Sequence, residues 1–218
     1  MNAARRFALA AVLACCAAAA SAQEETPAAP GAAEAAEPPA WEFNASVYGY
    51  FPPEDTDYGQ PTVMADRGPL HLEARYNYEG IDTGSAWVGW NLGVGDALRL
   101  DATLMAGGVF GETKGVAPGY ELTVSWGPLE LYSEGEYVFD VEDSENDFLY
   151  NWAQLGYSPF DWLTVGFASQ RTRAYETGLD VQRGPFIGFT YKSLTLTTYV
   201  FNADAESPTV VSSLAVSF

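Results

Sequence analysis

The chain has few of the residues that build disulfides, zinc fingers and nucleic-acid surfaces. Its 218 residues include two cysteines, one histidine and ten lysines and arginines, against 29 acidic residues. A formal net charge of −19 leaves no basic stripe for phosphate contacts, which argues against nucleic acid as a partner. One histidine and two adjacent cysteines cannot build an ordinary structural zinc site, and we expect no obligatory metal or other cofactor. After residue 22 there is no run of 18 apolar residues, so no transmembrane helix is expected in the mature protein.

Residues 1–22 have the pattern of a cleaved secretory signal. Two arginines precede the apolar stretch Phe7–Ala20, and small residues around Ala22 fit a cleavage site. Cleavage there would remove both cysteines, so no disulfide is expected. Lipid attachment at Cys15 is the alternative. Residues 23–40, rich in Ala, Pro and Glu, bury too little apolar surface to fold and predict a disordered periplasmic tail.

Apolar and polar residues alternate with a period of two from residue 41 to residue 218, which is typical of β-strands. The alternating segments are long, about 9–13 residues, which favours tilted membrane-crossing strands over the usual five or six residues of a soluble sheet. Aromatic residues also lie beside tight turns, as in the girdle of a membrane barrel. The predicted girdle residues are Trp126, Tyr157, Phe160, Trp162 and Tyr191.

Short connections alternate with longer acidic or glycine-rich ones, such as 111–118, which is the pattern of bacterial outer-membrane barrels. The predicted strands are 42–52, 58–66, 69–79, 85–94, 97–109, 117–127, 129–141, 147–158, 161–173, 182–192, 193–203 and 208–218. The weakest is 58–66, which contains Pro61, but an even number brings both chain ends to the periplasmic side and therefore requires it. The sequence predicts an all-β fold over residues 41–218, a transmembrane antiparallel up-and-down barrel of twelve strands, with ten as the alternative.

The last ten residues resemble the terminal strand of Gram-negative outer-membrane β-barrels of the porin-like kind. Those strands end in Phe with apolar residues at every second position before it; Val210, Leu214, Val216 and Phe218 match, whereas Ser212 departs. The resemblance implies a bacterial outer-membrane location among lipid and lipopolysaccharide. It also implies recognition of this strand by the barrel-assembly machinery. No characterised subfamily matches, so no pore or catalytic residue carries over, and a monomer is favoured because trimeric porins are larger chains.

Charged side chains of the strands are expected to face the interior, because each would cost about 2–4 kcal/mol in hydrocarbon at the midplane. The predicted pore-lining residues are His71, Glu73, Arg75, Arg99, Asp101, Glu130, Glu134 and Glu136. In one interpretation they line a narrow passage for small hydrophilic solutes, and the excess of acids favours cations. In the other they form a closed polar network in a barrel that only spans the membrane or serves a structural or surface-interaction role.

A barrel-embedded lipid hydrolase is a third hypothesis, because such an enzyme needs a histidine paired with a serine near the lipid boundary. No serine lies near His71 in the sequence, so we expect no enzymatic activity. The acidic loops, including residues 142–147, offer oxygen ligands for calcium or magnesium that could bridge to lipopolysaccharide. None of them has EF-hand spacing, and solvated charged loops are the simpler interpretation.

Overall fold

The structure is a computed structural model that describes residues 39–53, 56–174 and 180–218. Twelve antiparallel strands close into a barrel in which each strand pairs with its neighbours in the sequence and the last strand returns to the first. This architecture confirms the predicted twelve-stranded barrel and excludes the ten-stranded alternative. The predicted signal sequence and the predicted tail as far as residue 38 lie outside the described residues.

The strand bounds agree with the predicted segments to within a few residues. The strands are β1 (Glu42–Phe51), β2 (Tyr58–Arg67), β3 (Leu70–Tyr76), β4 (Thr83–Val94), β5 (Leu98–Gly111), β6 (Gly115–Trp126), β7 (Leu129–Asp140), β8 (Phe148–Phe160), β9 (Leu163–Ala174), β10 (Asp180–Tyr191), β11 (Leu194–Phe201) and β12 (Thr209–Ser217). A short 3₁₀ helix, Ser144–Asn146, precedes β8. Among the described residues no helix has the length and apolar character needed to cross a membrane.

The two ends of the barrel differ in their connections. Connections after even-numbered strands are tight, and Trp41 and Phe218 lie at the same end, which we call the short-turn end. The opposite, long-loop end carries most of the longer connections, but the one predicted at 111–118 is mostly strand, because β5 continues to Gly111 and β6 begins at Gly115. The ladder between β2 and β3 begins at Thr62 and does not include Pro61. Pro61, which has no N–H to donate, is therefore accommodated in β2.

Two strand ends depart from the sequence prediction for local reasons. β3 stops at Tyr76 instead of residue 79, since Asn77 turns the chain with a φ of 59°. The Asn77 side chain accepts a hydrogen bond from the backbone N–H of Asp82 at 2.8 Å, which closes the loop over residues 77–82. The strand predicted to end at residue 158 is longer, because β8 continues to Phe160 through an irregularity in its pairing with β9.

Burial alternates along the strands and separates an inner face from an outer face. In β3 the side chains of His71, Glu73 and Arg75 are buried, whereas Leu72 and Tyr76 are exposed. The same alternation exposes large apolar side chains over the whole outer surface; examples are Val88, Trp90, Leu92, Leu104, Phe110, Leu155, Phe167, Ile187 and Leu196. An apolar belt of this extent is stable in hydrocarbon and not in water, which is the arrangement of a transmembrane barrel.

Aromatic residues mark both rims of the outer belt. The five predicted girdle residues, Trp126, Tyr157, Phe160, Trp162 and Tyr191, are all exposed at the short-turn end. Trp162 stacks between Phe160 and Phe189, with ring centroids 5.6 and 6.3 Å away. A second set that the sequence analysis did not identify, Phe51, Tyr76, Phe110, Tyr137 and Phe139, is exposed towards the long-loop end.

The terminal strand β12 closes the barrel against β1. Leu214 and Phe218 are exposed on the outer face, and Val210 and Val216 are partly buried there. The backbone of Phe218 exchanges two hydrogen bonds with Phe43, at 2.8 and 3.0 Å, and the two rings stack 5.7 Å apart. The role of these residues as an assembly signal stays a prediction.

Some polar side chains lie on the outer face. Asn151 donates to the hydroxyls of Tyr120 and Ser133 at 3.0 and 3.2 Å, so these groups satisfy one another in the absence of water. The exposed residues Arg171 and Arg183 lie on β9 and β10 towards the long-loop end, where headgroups and not acyl chains are expected. The rule that charges face inward therefore holds for the middle of the belt but not for its rim.

Leu104→Arg tests whether the outer belt faces hydrocarbon. Leu104 lies near the middle of β5 and is 60 % exposed, so the charge should destabilise the barrel by about 2–4 kcal/mol. The matched control, Leu98→Arg, changes an equally exposed leucine at the start of the same strand and should cost about 0–1 kcal/mol. Denaturant unfolding in lipid vesicles measures both values, and equal effects of the two substitutions would contradict the membrane assignment.

Candidate functional site in the barrel lumen

Opposite walls of the barrel touch inside the lumen. Tyr48 on β1 meets Trp152 on β8 with ring centroids 6.1 Å apart, and Tyr199 on β11 donates a hydrogen bond to Gln154 on β8 at 3.1 Å. These residues belong to an aromatic group that fills the space between β8 and β1: Tyr48, Tyr50, Tyr58, Tyr132, Tyr150, Trp152, Phe186, Tyr199 and Phe201. The lumen at this level is therefore constricted by side chains.

Arg75 is the centre of a buried ion-pair network that we call the Arg75 cluster, with Glu73, Glu136, Tyr78 and Trp87. Arg75 Nε and Nη2 donate to the two carboxylate oxygens of Glu73 at 2.7 and 2.9 Å. Arg75 Nη1 donates to Glu136 Oε2 on β7 at 2.8 Å, which joins two non-adjacent strands across the lumen. The guanidinium also lies 4.3 Å from the ring centre of Tyr78 and 4.7 Å from that of Trp87.

The backbone around this cluster is shaped to fit its rings. Trp87 lies against Gly107 and Gly119, where a Cβ atom would approach the indole to 2.4 and 3.0 Å, so a side chain at either position would displace it. Its indole N–H donates to Ser85 Oγ at 2.9 Å, and Ser85 in turn donates to the carboxylate of Glu79. Glu79 belongs to the connection after β3, and burial raises the pKa of its carboxyl group.

Tyr78 is carried into the lumen by the same connection, residues 77–82. Its hydroxyl donates to Glu134 Oε1 at 2.5 Å, and its ring meets Tyr150 edge-on at 5.2 Å. The loop thus reaches β7 and β8 on the far side of the barrel. Because the sequence analysis extended β3 to residue 79, it did not identify this inward loop.

Acidic groups outnumber basic ones around the constriction. Glu121 on β6 lies directly opposite Glu134 on β7 in the strand register. Glu134 accepts hydrogen bonds from the hydroxyls of Tyr78 and Tyr132, but Glu121 Oε1 and Glu136 Oε1 are buried without a hydrogen-bond partner. Like charges in facing positions repel, so Glu121 and Glu134 are stable side by side only with a proton, a cation or hydrogen-bond donors beside them.

A second group, the His71 cluster, lies nearer the short-turn end and consists of His71, Asp66, Glu73 and Glu121. His71 Nδ1 is 2.9 Å from Asp66 Oδ1, and His71 Nε2 is 3.5 Å from Glu73 Oε2. Glu73 is therefore shared between the two clusters. Of these residues the sequence analysis named only His71 and Glu73, although the alternation of β2 and β6 would also have placed Asp66 and Glu121 on the inner face.

The remaining predicted lining residues lie at the short-turn mouth. Arg99 donates two hydrogen bonds to Asp101, at 2.6 and 2.7 Å, and both side chains are exposed to a large extent. Glu130 is exposed at the start of β7. The eight predicted residues thus occupy inward-facing positions but divide into a buried set and a set at the mouth.

Two small cavities adjoin the clusters. One, of about 150 Å³, lies between the Arg75 cluster and the aromatic group and is lined by residues that include Tyr48, Tyr78 and Glu134. The other, of about 230 Å³, adjoins His71, Asn91 and Glu121. Both have a mixture of carboxylate, hydroxyl and apolar walls suited to water and small ions.

Comparison with known proteins supports the fold. No protein-family model and no curated protein matches the chain. The barrel fold is that of outer-membrane porins. A solved structure of the KdgM porin has a TM-score of 0.56 at 9 % identity and covers 80 % of this chain and 99 % of that one. The KdgM porin in complex with disordered oligogalacturonate has a TM-score of 0.54 at 8 % identity, and the match covers 81 % of this chain and 99 % of that one. Identities this low show a common fold and no more.

Arg75→Met should destabilise the barrel by about 3–5 kcal/mol, because it leaves the buried carboxylates of Glu73 and Glu136 without their cation. Arg99→Met is the matched control, since Arg99 also pairs with an acid two residues away on its own strand, but in an exposed position. The control should leave the unfolding midpoint unchanged. Urea unfolding in detergent, followed by tryptophan fluorescence, compares the two; similar losses would show that the Arg75 cluster does not stabilise the fold.

Proposed function

We propose that the protein is a narrow channel of the bacterial outer membrane that admits water and small cations. The observation that carries this proposal is the composition of the constriction. At the constriction Arg75 pairs with Glu73 and Glu136, whereas Glu121 and Glu134 lie there without an arginine partner among the described residues. A lumen of this charge attracts cations and repels anions.

Burial energetics favours a hydrated lumen over a dry plug. Transferring an uncompensated carboxylate into a dry interior costs several kcal/mol, and well-packed apolar residues are often at least as stable there as an ion pair. A closed barrel would be at least as stable with apolar side chains in place of these acids. The buried oxygens Glu121 Oε1 and Glu136 Oε1 have no hydrogen-bond partner among the described residues, and water, a cation or a proton would satisfy them.

The constriction limits the size of the solute. A cavity of about 150 Å³ has room for about five water molecules at their liquid volume. Oligogalacturonate, which is present in one of the KdgM structures, is a polyanion and would meet carboxylates here. We therefore propose small cations and not an acidic oligosaccharide as the permeant species.

A closed spanning barrel is the second candidate. It is favoured by the contacts between opposite walls, in particular Tyr78 with Tyr150 and Tyr48 with Trp152. A lipid hydrolase has less support, because His71 faces the lumen and its ring nitrogens lie beside Asp66 and Glu73. We accordingly propose a role without catalysis.

Tyr78→Ala distinguishes the channel from the closed barrel. The substitution removes a ring that reaches across the lumen without changing the charge, so single-channel conductance in a planar bilayer should rise at least twofold. The matched control is Tyr157→Ala on the outer face, which should leave conductance unchanged. In a salt gradient, the wild-type protein should show a reversal potential with the sign expected of a cation-selective channel. Anion selectivity would contradict the proposal, and no conductance in either wild type or Tyr78→Ala would establish the closed barrel.

A further inference from the structure

We infer that the His71 cluster binds a divalent transition-metal ion, with zinc as the representative case. The ligands would be His71 Nε2, a carboxylate oxygen of Glu73 and a carboxylate oxygen of Glu121, whose ligand atoms all lie within 4.8 Å of one another. This differs from the zinc sites that the cysteine and histidine content excludes, because it needs one imidazole and two carboxylates. The site does not depend on whether the lumen conducts.

The orientation of His71 is fixed by a second carboxylate. Asp66 Oδ1 lies 2.9 Å from His71 Nδ1 and also accepts a hydrogen bond from Asn91 at 2.6 Å. A neutral imidazole that donates from Nδ1 to Asp66 has its lone pair on Nε2, and a metal ion that binds at Nε2 takes the place of the second ring proton. A carboxylate that holds the distal nitrogen of a ligating histidine is the usual second shell of a metal site in proteins.

Two buried atoms of the cluster, His71 Nε2 and Glu121 Oε1, have no hydrogen-bond partner among the described residues. The His71 side chain is almost fully buried, with 2 % of its residue surface exposed, and Nε2 has no hydrogen-bond partner. Its distance to Glu73 Oε2 is 3.5 Å, longer than a normal hydrogen bond. Tetrahedral zinc with bonds of 2.0–2.1 Å separates neighbouring ligand atoms by about 3.3 Å, which is close to the 3.5 Å between His71 Nε2 and Glu73 Oε2. All three ligand atoms lie within 4.8 Å of one another, so side-chain movements of about 1 Å would complete the site.

The third ligand would be Glu121, which belongs to the acidic part of the lumen. Glu121 Oε1 is buried without a hydrogen-bond partner, and Glu121 faces Glu134 across the strand pair. A divalent ion would relieve this repulsion. If Glu73 Oε2 turned towards the ion it would give up its 2.9 Å bond from Arg75 Nη2, whereas the bonds of Arg75 to Glu73 Oε1 and Glu136 Oε2 would remain.

Access and ligand type indicate which ions fit. The cavity of about 230 Å³ beside His71 and Glu121 leaves space for water as a further ligand and connects the site to the short-turn side of the lumen. An imidazole nitrogen favours zinc, nickel, cobalt or copper over calcium and magnesium, which prefer oxygen alone. The site should therefore bind a transition metal in exchange with solution.

Metal binding is measured on the mature protein refolded in detergent, by equilibrium dialysis with Zn²⁺ in the presence of excess Mg²⁺ and by absorption spectra with Co²⁺. We expect one equivalent of Zn²⁺ that Mg²⁺ does not displace, and cobalt bands of nitrogen and oxygen coordination. His71→Gln and Glu121→Gln should each weaken binding at least tenfold. Glu130→Gln, which removes an inward-facing carboxylate at the exposed mouth, should leave it unchanged.

Circular dichroism and the electrophoretic mobility of the unheated barrel establish that each variant has folded. If His71→Gln does not fold, Glu121→Gln, which keeps the shape of the side chain, carries the test. The inference is overturned if Zn²⁺ does not bind, if Glu121→Gln binds as tightly as the wild type, or if Glu130→Gln loses as much affinity as Glu121→Gln. Because no conductance is measured, failure here is distinct from failure of the channel proposal.

Discussion

The exclusion of ionised side chains from hydrocarbon is the constraint on which the rest of this structure depends. A strand with a side-chain period of two that places leucine in lipid must place its alternate residues in the lumen, and a shift of one residue would exchange the faces. In β3 this sends His71, Glu73 and Arg75 inward together. The charged clusters of the lumen are thus a consequence of the same register that makes the outer belt apolar.

Closing twelve strands makes a cylinder wider than its inward side chains need, so the centre must be filled by groups that reach far. Arg75, with its long side chain, spans to Glu136, and the connection after β3 brings Tyr78 to β7 and β8. Shorter side chains in place of Arg75 and Tyr78 would leave the opposite walls of the barrel out of contact. The constriction therefore arises from Arg75, the inward loop after β3 and the aromatic group between β8 and β1.

Alternation and turn spacing were sufficient to predict the number of strands, their order and which side chains point inward, because these depend on local pattern and on parity. Pro61 illustrates this, since the need for an even strand count outweighed its poor strand propensity. The inward course of residues 77–82 could not be predicted in the same way. It depends on the positive φ of Asn77 and on Gln60 of β2 donating to the Asn77 carbonyl at 2.9 Å, a contact between β2 and the loop after β3 that no single segment reveals. The fit of Trp87 against Gly107 and Gly119 depends likewise on three strands at once.

Glu73 belongs to both clusters of the lumen, and this shared carboxylate links the charge of one cluster to that of the other. Its carboxylate holds Arg75 through both oxygens while one of them lies 3.5 Å from His71 Nε2. A charge that binds beside His71 must compete with Arg75 for that oxygen, and a change at Arg75 must alter the charge available to His71. The spacing of two residues on one strand puts both partners on the same face, so the register that hides these groups from lipid also makes the constriction and the His71 cluster electrostatically dependent on each other.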